Sequence, residues 1–86
     1  MARKRALHGP TDHLLALLYG IISAPREIEN ARNDFYFTLP RVSRIDHRQY
    51  LEKTFREIDI NRNSPKMLAG IHEQLTHWQD REFPVK

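Results

Sequence analysis

The side chains that could do chemistry here are five histidines, three serines, eleven carboxylates and ten arginines; there is no cysteine. Without a thiol there is no disulfide framework, no thiolate zinc site and no cysteine nucleophile. Ser23, Ser43 and Ser64 each fall where a helix should begin, so capping accounts for all three. His72 and His77 share a helix, but five residues set them about 140° apart around its axis, too far for one metal ion. Glu73 stands four residues before His77, the spacing of a surface pair. His8 and His13 flank the first helix start, and the five histidines together read as surface or boundary residues. Glu27 and Glu29, like Glu57 and Asp59, are two apart and point to different sides of a helix. Gly9, Gly20 and Gly70 are isolated, so no phosphate loop exists. The sequence therefore offers no catalytic residue, no cofactor and no metal, and the expectation is a binding protein that is not an enzyme.

The elements that would position these residues are helical. The chain of 86 residues is one domain, with residues 1–10 as a basic arm and 11–86 as a single helical domain. A chain this short removes only about 60–65% of its unfolded surface from water. Its stability should be on the order of 4–13 kcal/mol. Thr11 is expected to cap a first helix in which Leu14, Leu15, Leu17, Leu18, Ile21 and Ile22 cover about 200° of the circumference. Arg3, Lys4 and Arg5 before this apolar stretch mimic a leader peptide. The stretch from Leu14 to Ala24, eleven residues, is too short for a membrane span, and a cleavage after Ala24 would put Pro25 next, so a core helix is expected. No membrane role is expected, and the cysteine-free composition fits the cytoplasm.

A short polar helix should run from Pro25 to Asp34. Phe35-Tyr36-Phe37-Thr38-Leu39 then alternates like a strand and is expected to be extended. Ser43 and Asp46 form a capping-box-like start to a third helix ending near Asp59, with Leu51, Phe55 and Ile58 inward. Ser64-Pro65 opens a fourth helix in which Met67, Leu68, Ile71, Leu75 and Trp78 recur. Gly20 and Gly70, inside helical patterns, would be explained by close helix–helix approach. The fold class is thus an all-α bundle of about four helices with one extended segment near residues 35–39.

Two kinds of partner follow. An apparent surplus of apolar surface favours a small regulatory or inhibitor-type protein docking a helical face on a larger protein, with Leu14, Leu18, Ile22, Tyr36 and Trp78 as interface residues. Self-association into a homodimer would use the same surplus. The alternative is a DNA-binding regulator. The chain carries a formal net charge of +3, Arg3, Lys4 and Arg5 could seek phosphates, and Arg41, Arg44 and Arg48 fall along one side of the third helix. The order strand, helix, turn, helix from Phe35 to Trp78 is similar to that of the ribbon-helix-helix repressors, which pair their strands across a dimer and read the major groove with them. Against this, Tyr36 and Thr38 would be the outward strand residues and offer base edges no basic or amide group.

Overall fold

A computed structural model describes residues 9–84. They form four helices: α1 (Pro10–Ser23), α2 (Ile28–Thr38), α3 (Ile45–Ile60) and α4 (Pro65–Glu82). Single 3-10 turns, Pro25–Glu27 and Leu39–Arg41, lead into and out of α2. The arm at residues 1–8 and the last two residues lie outside the described part.

Proline starts three of these turns and helices because it lacks the N–H that a helix start leaves unpaired, and its φ is already helical. That rule sets the start of α1 two residues earlier than expected. Pro10 takes the first helical position and Gly9 the cap, so Thr11 caps nothing. At α4 the expectation holds: Pro65 is the first residue, and Ser64 Oγ accepts a hydrogen bond from the Met67 amide at 3.3 Å. At α3 it does not. Arg44, not Ser43, occupies the cap position without any side-chain cap, and Asp46 accepts from the Arg44 guanidinium instead. A charge-assisted pair has displaced the expected serine cap.

The extended segment at residues 35–39 is not present. Those residues finish α2 and enter the following 3-10 turn, and no strand exists among the described residues. Alternation would bring Phe35, Phe37 and Leu39 to one face. In the structure Phe35 is fully buried and Phe37 is 74% exposed. The pattern that governs is helical: Ile28, Ala31, Phe35 and Thr38 or Leu39 recur at i, i+3, i+7 and i+10 or i+11, and all face the bundle. Packing of that stripe overrides the strand propensity of three aromatics. With the strand gone, the likeness to ribbon-helix-helix repressors loses the element that carried it.

The core is one cluster to which every helix contributes. Leu14, Leu18 and Ile21 of α1 meet Ile28 and Phe35 of α2, Leu51, Phe55 and Ile58 of α3, and Leu68, Leu75 and Trp78 of α4. Phe35 and Phe55 stack at a centroid distance of 4.4 Å, and Tyr50 lies flat on Trp78 at the same distance. The stripe of α4 is Leu68, Ile71, Leu75 and Trp78; Met67 lies off it and is 51% exposed. A Cβ added at Gly20 or Gly70 would meet nothing within 4 Å. Neither glycine marks a close helix crossing, contrary to the sequence expectation.

Candidate functional site

Three of the five residues expected on a docking face belong to the core. Leu14 and Leu18 are wholly buried and Trp78 nearly so. The bundle uses the wide apolar arc of α1 for itself, because α1 packs against α2, α3 and α4 at once. Tyr36 sits at the α2–α3 edge, its hydroxyl donating to Glu52 Oε2 at 3.4 Å. Burial, then the Glu52 charge, raise its pKa above the ordinary tyrosine value.

Ile22 is half-buried and lines an open cleft of about 590 Å3. Ile22 and Pro25 come from the end of α1 and the turn after it. Pro65, Leu68 and Ala69 come from the start of α4, with Arg62 from the α3–α4 turn at the rim. The floor is apolar, no acid lines it, and its walls are fixed by the proline-started elements on either side. Tyr19 holds the adjoining α1–α4 seam: its hydroxyl donates to Gln79 Oε1 at 2.8 Å, and its ring meets the cleft residue His72 edge-on.

A second cleft, of about 560 Å3, opens where the start of α1 meets the end of α2. His13 Nε2 lies 3.0 and 2.9 Å from the two Asp34 oxygens, and Thr38 Oγ1 donates to the same carboxylate at 3.4 Å. Phe37 and Arg41 complete this wall, both exposed.

The three arginines expected along one side of α3 are not equivalent. Arg41 lies in the 3-10 turn before the helix and makes no ion pair among the described residues. Arg44 pairs with Asp46 and reaches Glu82 at 3.9 Å. Arg48 donates Nε to the Val42 carbonyl at 3.1 Å. Two of the three are thus engaged within the chain. Arg3, Lys4 and Arg5 lie outside the described residues.

The histidines divide in a way the sequence reading did not anticipate. His47 is buried and its Nε2 lies 2.9 Å from Glu82 Oε1. Trp78 and Phe83 meet its ring edge-on at 5.2 and 5.0 Å. Its spacing gave the signal, since His47, Leu51, Thr54, Phe55 and Ile58 form one inward stripe of α3. Asp46, His47 and Glu82 bring ligand atoms within 4.8 Å of one another, near enough to share a metal ion. Their carboxylates are already held by guanidinium groups, Asp46 by Arg44 and Glu82 by Arg81 and Arg44. Hydrogen bonding from Arg44 lowers the Asp46 pKa, and that from His47 lowers the Glu82 pKa. The arrangement is an ion-pair clasp between α3 and α4. His77 lies 3.8 Å from Glu73, the surface spacing expected for that pair.

Compared with known protein families, with curated proteins and with solved structures, the chain matches none. No described helix is long and apolar enough to cross a membrane.

Proposed function

We propose that this chain is a non-catalytic binding module that docks an apolar segment of a larger protein, in the manner of a small regulator or inhibitor. The observation that supports it is the cleft at the α1–α4 end, where Ile22, Pro25, Pro65, Leu68 and Ala69 leave an apolar floor open to solvent beneath a polar rim. Its volume falls in the range of about 300–1,000 Å3 usual for ligand clefts. An open trough of this form suits apolar side chains presented by a peptide segment. The docking face is therefore moved from the buried stripe of α1 to its C-terminal end, and of the residues expected from sequence Ile22 stays in it. A cysteine-free chain is suited to a reducing compartment, so this reading sets the protein in the cytoplasm.

The test is a random-peptide display selection on the intact chain, followed by affinity measurement against Ala69→Gln. Ala69 is exposed and helical, so glutamine fills the trough without touching the core. Selected peptides should bind the variant at least tenfold more weakly while its circular dichroism stays unchanged. Equal affinity for both proteins would remove this cleft as the docking site.

A further inference from the structure

The cleft between α1 and α4 is bordered by donors that nothing in the bundle answers. Asn63 and His72 both line it. Neither the side-chain amide of Asn63 nor a ring nitrogen of His72 makes a hydrogen bond among the described residues. The His72 ring touches Tyr19 edge-on and nothing polar. Arg62 is tied by one nitrogen: its Nη1 donates to Asp59 Oδ1 at 2.6 Å and lies 3.6 Å from Glu29. Its Nε and Nη2 make no bond among the described residues. Asp59 and Glu29 are shared with Arg32, so two guanidinium groups meet two carboxylates and that cluster is balanced. It fixes Arg62 at the rim without using up its donors. The partly positive N-terminal end of α4 stands beside it at Pro65, and no acid lines the cleft. Unanswered donors around an apolar floor are matched by a segment that carries carboxylates next to an apolar side chain.

We infer that the segment docked in this cleft is acidic: an apolar anchor lies on the floor, and carboxylate side chains on either side of it accept from Arg62 and His72. The inference rests on the docking reading above and names the chemistry of the partner. A basic segment would bring its cations to Arg62 with no acid in the lining to receive them. Internal side chains also suit the site better than a chain terminus. Arg62 lies before the first turn of α4, and His72 stands seven residues after Pro65, about 10 Å further along the helix. One terminal carboxylate cannot serve donors that far apart. Two acidic side chains three residues apart in an extended segment span about the same distance.

The experiment is peptide display on the full chain from three libraries. Each presents a central leucine in a random background, flanked by acidic, amide or basic residues. The acidic library should supply the binders. Their amidated synthetic forms should bind in fluorescence anisotropy, more weakly as salt is raised. Arg62→Gln and His72→Ala should each weaken them about threefold to fivefold. Both residues are exposed, and unchanged circular dichroism of the variants verifies folding. Equal enrichment from the three libraries would overturn the inference, as would equal affinity of acidic peptides for wild type and Arg62→Gln. Loss of binding on amidation would assign the acid to a chain terminus and overturn it too. Ala69→Gln separates the two readings. If it weakens peptides from all three libraries alike, docking stands and the acidic preference falls. If it leaves acidic peptides unaffected, they bind elsewhere and the docking reading falls. No binder from any library would remove both.

Discussion

The imidazole of His47 and the carboxylate of Glu82 meet at 2.9 Å, joining the first turn of α3 to the last turn of α4. The pair is half inside the bundle. The histidine ring is covered by Trp78 and Phe83, while Glu82 reaches outward to Arg81 and Arg44. Because the hydrogen bond from His47, and then those guanidinium groups, lower its pKa, Glu82 binds its proton less readily in the folded chain than in the unfolded one. Its contribution to stability is present above the ordinary glutamate range and is lost as pH falls through the lowered folded value. Urea denaturation should find wild type more stable than Glu82→Gln at neutral pH, with the difference shrinking as the solution is acidified. A difference that stays constant from neutral to strongly acidic pH would show that the charge of Glu82 is not what the clasp uses.

Tyrosine sets the alkaline side. Burial raises the phenol of Tyr50, which lies flat on Trp78, and raises that of Tyr36 together with the Glu52 charge. Stability from these two groups is complete below the ordinary tyrosine range and is lost as pH rises through their raised folded values. Absorbance titration of the folded chain should show ionisation delayed relative to the same chain in urea. Tyr50→Phe should remove part of that delay.

The aromatic stack at the centre is a large single contribution. Phe35 is fully buried and lies on Phe55 at 4.4 Å. Phe35→Ala should cost about 3–5 kcal/mol, a large share of the roughly 4–13 kcal/mol expected for a chain of this size. Leu18→Asp, in the middle of the core, should prevent folding altogether. Thermal melts followed by circular dichroism measure both, and a native-like melting temperature for either would contradict the packing described.

Two glycines offer the opposite sign. Gly20 and Gly70 are exposed, lie inside α1 and α4, and have open space where a Cβ would stand. Alanine at each should stabilise the chain by about 0.5–1 kcal/mol through helix propensity and a less flexible unfolded state. A loss on either substitution would mean that the space around that Cβ is not open as described.

Ser64 caps α4 through a bond to the Met67 amide. Ser64→Ala should cost about 0.5–2 kcal/mol in the same melts.

The bundle was legible in the sequence wherever the apolar period was long. The six aliphatics of α1 and the stripe from Leu68 to Trp78 both appear as read, because many residues repeat the same 3.6-residue signal. The stretch from Phe35 to Leu39 misled because five residues are too few to separate period 2 from period 3.6 when three of them are aromatic. Ile28 and Ala31, on one side of the short helix expected from Pro25 to Asp34, held the missing part of the pattern. The sites were less legible for a different reason. Apolar residues in α1 predict burial but not against what, so Leu14 and Leu18 read equally well as core or interface. The cleft at Ile22 depends on how α4 meets the end of α1, a relation some forty residues apart that no local spacing encodes. Arg44 and Arg48 looked alike on a helical wheel, yet Glu82 and the Val42 carbonyl engage them differently.

The short connections between consecutive helices set how this chain finds its shape. A 3-10 turn joins α1 to α2, another leads toward α3, and four residues separate α3 from α4. Each helix can therefore close on its neighbour across a small loop, and no strand has to search for a distant partner. Folding of such a topology runs on the scale of microseconds to milliseconds. The chain should complete its core soon after Trp78 and Phe83 leave the ribosome, with little time for aliphatic surface to meet another nascent chain.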